Sequence, residues 1–107
     1  MKKIAILLII TSSFVFAQNT NVPDDKFEQA LIDLGFDDTL DGYVLTANIS
    51  GVTDLNVDGK EISDLTGIEG FAALIELIVS NNKLTALDVS TNTALTSLYL
   101  YAAGTEG

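Results

Sequence analysis

Asp54, Asn56 and Asp58, followed by Gly59, stand at the alternate positions that open a calcium-binding loop. In such a loop short oxygen-bearing side chains wrap a hard cation, a glycine makes the sharp turn, and a bidentate carboxylate at the twelfth position closes the shell. Here the twelfth position is Leu65, and the usually apolar eighth is Glu61. The spacers Leu55 and Val57 also fit the inward positions of a strand, and they cannot serve both roles. The motif therefore reads as carboxylates side by side on one strand, open to a weaker cation contact, which keeps a calcium-assisted adhesion domain as an alternative function. A second acidic group, Asp37, Asp38 and Asp41, reads as a solvated turn. Asn48-Ile49-Ser50 fits the glycosylation sequon and reads as accidental. With no histidine and no cysteine, the common nucleophile–base pairs are missing. The abundant carboxylates lack a cleft that would set two of them face to face at a glycosidase separation. The expectation is no catalytic residue, no resident metal and no cofactor.

The stronger candidates are contact residues. Asp54, Asn56 and Asp58 recur in position as Glu76, Ile78 and Ser80, and again as Ser97, Tyr99 and Tyr101. Stacked, these nine form an acidic row at one edge and a patch of Ile78, Tyr99 and Tyr101 beside it. Tyrosine brings large contact area and a hydroxyl at low entropic cost.

What must position them is a repeat. Val52-x-x-Leu55-x-Val57 returns 22 residues later as Leu74-x-x-Leu77-x-Val79, and 21 residues after that as Leu95-x-x-Leu98-x-Leu100. Ile62-x-x-Leu65 returns as Leu84-x-x-Leu87. A period of this length marks stacked supersecondary units. In Leu77-x-Val79 the alternate positions point inward, which turns Glu76, Ile78 and Ser80 to the other face. Asn82 falls at the bend, where its amide can pair backbone groups left open. Residues 84–92 copy residues 74–82 at an offset of ten, so either half could be the strand. The first repeat decides for residues 74–79, because residues 62–68 lose the pattern.

Upstream, Pro23, Asp24 and Asp25 suit a helix start, and Asp25 and Glu28 have capping-box spacing. Phe27, Ala30, Leu31 and Leu34 fall on one helical face, and Gly35 suits the position past the end. A helix over residues 24–34 is expected. Residues 18–21 read as a loose polar tail, residues 43–45 as a short extended piece, and residues 46–51 as a connector with one helical turn.

The segment from Leu74 to Leu84, Leu-Ile-Glu-Leu-Ile-Val-Ser-Asn-Asn-Lys-Leu, resembles the leucine-rich repeat pattern L-x-x-L-x-L-x-x-N-x-L. Leu84 to Leu95 is similar to the variant found in exported repeat proteins of Bacteroidetes-type bacteria. Residues 22–27 and 62–69 resemble the start of that family, including its helical N-terminal cap. Internalin-like proteins are a more distant likeness. The resemblance covers nearly all of residues 22–100. It implies an α/β solenoid with short parallel strands, a helical cap at the N-terminal side, export, and binding or adhesion to a protein or glycan. Two departures stand out: the Asn position is Lys60 in the first repeat and Ala103 in the last, which breaks an asparagine ladder, and the pattern dissolves after Tyr101.

Lys2 and Lys3, the apolar run Ile4 to Phe16 and small Ala17 have the order of a secretory signal peptide, and the run is shorter than the ~20 residues of a membrane span. The expected organisation is a signal at 1–17, a cap region at 18–51, about 2.5 repeats at 52–101 and a tail at 102–107. The product is expected to be secreted or surface-located. Without cysteine there is no disulfide and no lipoprotein anchor. After signal removal 15 acidic and 3 basic side chains remain, a net charge of −12. Such a surface repels nucleic acid and anionic membranes. Leu95, Leu98 and Leu100 face a next repeat that is not in the sequence. A fragment of a longer array is the preferred reading, ahead of self-association through those leucines or a folded-back tail.

Overall fold

Two small sheets and one helix make up most of the regular structure between residues 18 and 101, the stretch that the computed structural model describes. The expected signal segment at 1–17 and the tail at 102–107, with Ala103, lie outside the described residues. Strand β1 (Asn19–Asn21) pairs antiparallel with β2 (Tyr43–Leu45), Thr20 opposite Val44. The polar stretch expected to be loose is thus an ordered strand. Its side chains gave no apolar signal, but its backbone is paired and Thr20 Oγ1 lies 2.7 Å from Thr46 Oγ1. Val22, fully buried, anchors its end.

Helix α1 covers Asp25–Asp33 and a single turn, α2, covers Thr46–Ile49. The expected capping box is not formed. Asp24 caps α1 instead, its Oδ1 accepting from the N–H groups of Lys26 and Phe27. Glu28 turns inward and is fully buried with Phe27, Ala30 and Leu31. Leu34, expected on the core face, is 46% exposed, because the chain leaves the helix there. Gly35 follows at φ +90°, a left-handed position that favours glycine.

Strands β3 (Asp54–Asn56), β4 (Glu76–Ile78) and β5 (Ser97–Tyr99) form a parallel sheet in the order β3-β4-β5, with Leu55, Leu77 and Leu98 in register. The 22- and 21-residue offsets of the sequence are therefore the register of the sheet. Residues 84–92 contain no strand, as comparison with the first repeat required. The ladder continues past the strands: Val57 N–H donates to Ile78 O and Val79 N–H to Tyr99 O, both at 2.9 Å. Leu55, Val57, Leu77 and Val79 are buried with Ile62, Leu65, Phe71 and Leu74 in one core, which α1 joins through Phe27. The Phe27 and Phe71 rings stack with centroids 6.5 Å apart.

Parallel strands joined by loops leave many backbone groups unpaired, and two asparagines close the gap. Asn82 Oδ1 accepts from Lys60 N–H (3.0 Å) and Ile62 N–H (2.9 Å), and its Nδ2 donates to Val57 O (2.8 Å) and Val79 O (3.0 Å). Asn92, ten residues on, donates to Ile68 O (2.9 Å) and Phe71 O (3.1 Å). Asn82 thus makes the link that its own position in the first repeat, Lys60, cannot. Two glycines let the first sheet approach the repeats. A Cβ on Gly67, at φ +112°, would stand 2.8 Å from Val22 Cγ2, and one on Gly70 would stand 2.8 Å from Ile49 Cδ1.

Candidate functional site

The pleat alternates side chains between the faces of a sheet, so placing Leu55, Leu77 and Leu98 in register on one face leaves Asp54, Asn56, Glu76, Ile78, Ser97 and Tyr99 on the other. Laterally they form two rows, Asp54–Glu76–Ser97 and Asn56–Ile78–Tyr99. Asp58 and Tyr101 extend the face by a third row, since Gly59 N–H donates to Ser80 O (3.0 Å) and holds the chains alongside. Tyr99 and Tyr101 are 43% and 52% exposed. Leu98 and Leu100 are also exposed, and Leu95 is half-buried.

Ser80 departs from the expected face. It is 3% exposed, and its Oγ accepts from Tyr101 N–H at 3.1 Å. Strict alternation ends at Val79, and at Asn81 the backbone turns to φ +59°. Asn81 takes the place that Ser80 was expected to hold: its Nδ2 donates to Asp58 Oδ1 at 2.9 Å. Its Asn-Asn pair with Asn82 was the available signal, a left-handed turn residue followed by the bridging residue.

Two shallow hollows open on this face. One, about 330 Å3, is lined by Asp58, Glu76, Ile78, Asn81, Tyr99 and Tyr101, with the buried Ser80 at its floor edge. The other, about 270 Å3, lies between Asp54, Asn56, Glu76 and Ile78 and the pair Leu34 and Phe36. Exposed Leu34 therefore borders the strand face, which the apolar periodicity of α1 did not indicate. A larger hollow of about 460 Å3 lies between residues 64–69 and 86–91 and is lined mainly by small polar and acidic side chains. It shares no residue with the strand face.

The calcium-like motif is resolved by the pleat. Leu55 and Val57 are buried while Asp54, Asn56 and Asp58 stand on the exposed side. Asn56 Oδ1 accepts from Asp58 N–H at 3.0 Å, a local turn contact.

The acidic turn is a different matter from the solvated segment expected. Carboxylate oxygens of Glu28, Asp37 and Asp41 lie within 4.8 Å of one another. Glu28 Oε1 accepts from Gly42 N–H (2.7 Å) and Oε2 from Asp41 N–H (3.1 Å), tying α1 to the turn. Asp37 is half-buried and its Oδ2 is buried without a protein partner. Burial first, then the facing Asp37 carboxyl, push the Glu28 pKa up from 4.5 to about 7, against the pull of the Gly42 and Asp41 N–H groups. Asp38 and Asp41, by contrast, are exposed as expected. No periodicity marks Glu28, because its partners are 13 and 14 residues away in a turn. Asn48, the sequon residue, donates from Nδ2 to Phe36 O at 3.0 Å.

No family model matches the chain. Internalin J of Listeria monocytogenes serotype 4b (strain F2365) is 34% identical over 71 residues, which is 66% of this chain and 8% of that protein. Among solved structures, the functional domain of internalin J from Listeria monocytogenes, described as including a cysteine ladder, superposes with a TM-score of 0.62 and 31% identity over 78% of this chain and 19% of that one. An internalin, InlF, from the same species gives a TM-score of 0.66 at 24% identity over 74% of this chain and 24% of that one. The CBM51-2 and INT domains of Clostridium perfringens ZmpB give 0.64 at 22% identity, covering 92% of this chain and 22% of that one. The chain is thus a distant, internalin-like relative with a leucine-rich repeat fold, and it spans less than a tenth of the length of internalin J. It has no cysteine, so no cysteine ladder crosses its repeats; the bridges described above are made by Asn82 and Asn92.

Proposed function

We propose that this chain is the N-terminal part of an exported leucine-rich repeat binding module, a short solenoid capped by the α1 region, that contacts a protein through the outward face of β3, β4 and β5. The observation that carries the reading is the register of the sheet: it brings Asp54, Asn56, Glu76, Ile78 and Tyr99 from three separate segments onto one exposed surface. The fold needs the buried alternation, but it does not need an isoleucine and two tyrosines on the opposite face. Exposed apolar and aromatic residues grouped with polar neighbours mark contact surfaces. The internalin-like relationship supports a surface-binding module over an enzyme, and the absence of histidine and cysteine agrees with it.

The test is a comparison of face variants. Ile78→Asp and Tyr99→Ala should each weaken capture of a partner from envelope or host-surface extracts by about tenfold or more, the usual effect of losing a central contact residue. Their melting temperatures should match that of the parent. Capture that is indifferent to both substitutions would exclude this face.

A further inference from the structure

Resting on that reading, we infer that the hollow between β4, β5 and the Asn81 turn receives an arginine side chain from a protein partner. The hollow, about 330 Å3, offers two carboxylates, Asp58 and Glu76, beside two phenol rings, Tyr99 and Tyr101, with Ile78 between them. No lysine lines it, and the chain has no arginine and no histidine to neutralise it from within.

A guanidinium satisfies all parts of this wall together. Its planar N–H donors match carboxylate oxygens, its faces stack on aromatic rings, and its weak hydration lowers the cost of entry. The aliphatic stem has Ile78 to lie on. Asp58 is held ready for such a contact, since Asn81 Nδ2 donates to its Oδ1 at 2.9 Å. A neutral glycan would cover the rings but leave both carboxylates without a counter-charge, and an anionic one would be repelled. The formal charge of −10 on the chain would steer a basic segment toward the molecule, while the hollow selects where it docks.

The probe is a capped peptide, Gly-Ser-Arg-Leu-Arg-Ser-Gly, with its Lys and Glu counterparts, titrated into the 15N-labelled full chain at about 0.15 M salt, where long-range attraction between exposed charges is largely screened. Amide shifts should concentrate at residues 56–58, 76–81 and 97–101. The Arg peptide should bind more tightly than the Lys peptide, and the Glu peptide should not bind. The pair D58N/E76Q should weaken the Arg peptide by about tenfold or more, as expected for loss of charge-assisted pairing, without lowering the melting temperature. Shifts scattered over the other acidic segments, or Arg and Glu peptides that bind alike, would overturn the inference. If a partner's capture is lost in I78D but unchanged in D58N/E76Q, the arginine assignment fails and the binding face stands. Indifference to both sets removes the face as well.

Discussion

Asp24 and Glu28 stand four residues apart on the same helix start, and the fold shifts their pKa values in opposite directions. Partial burial pushes the Asp24 carboxyl up, but N–H groups of Ser63, Asp64, Lys26 and Phe27 together outweigh it and hold its pKa below 3.8. Its contribution is present above the unfolded value and is lost as pH falls through the lower folded one. Glu28 is raised to about 7, so the folded state holds a proton that the unfolded chain has released. Its contribution is full below about 4.5 and is lost as pH rises through about 7. Thermal melts should therefore peak in the mildly acidic range and decline between pH 5 and pH 8, and Glu28→Gln should remove that decline. A parent melting temperature that is flat over the interval would refute the assignment. Asp24→Asn should lose roughly 1–2 kcal/mol in urea unfolding, because Oδ2 accepts from Ser63 N–H and Asp64 N–H and Oδ1 from Lys26 N–H and Phe27 N–H, so an amide would turn a donor toward one pair or the other.

Among the elements, the strands were the most legible in the sequence, because a strand buried on one side writes its alternation into residue type. Leu55, Leu77 and Leu98 announced both the sheet and its register. Strand β1 left no such trace, since Asn19, Thr20 and Asn21 are held by backbone pairing with β2. The strand face was legible only as far as alternation lasts. It failed at Ser80, where the chain bends inward and Asn81 replaces it. Glu28 was missed because a buried carboxyl owes its place to a turn that is distant in sequence. Two substitutions test how the elements are joined. Asn82→Ala removes the acceptor of Lys60 N–H and Ile62 N–H and the donor to Val57 O and Val79 O and should cost about 2–4 kcal/mol, the sum expected for several partly buried groups left unpaired. A loss below about 1 kcal/mol would mean that water substitutes freely for the amide. Gly67→Ala forces a Cβ toward Val22 Cγ2 at a positive φ and should cost roughly 1–3 kcal/mol, read as a lower denaturation midpoint with the slope unchanged.

For the molecule as a whole, charge is the dominant bulk property. Fifteen acidic side chains against five basic ones repel one another more strongly in the compact state than in the expanded one. Among the described residues the ion pair Lys26–Glu61, at 3.9 Å, is exposed and offsets little of this. Raising sodium chloride from about 0.01 to 0.15 M shortens the screening length from about 30 to 8 Å and should raise the melting temperature by a few degrees. A melting temperature that falls over this range would show that attractive pairs outweigh the general repulsion.

Asn82 fastens backward, onto residues 57–62 of the preceding unit, and Asn92 does the same onto residues 68 and 71. The unit over residues 74–94 therefore carries both fasteners of its joint to the unit before it. A tandem duplication of one such block would bring a working fastener with it and find its receptor in the copy before it. Loss of one asparagine would leave the other still closing the same joint, because Asn82 grips residues 57–62 and Asn92 grips residues 68 and 71 independently.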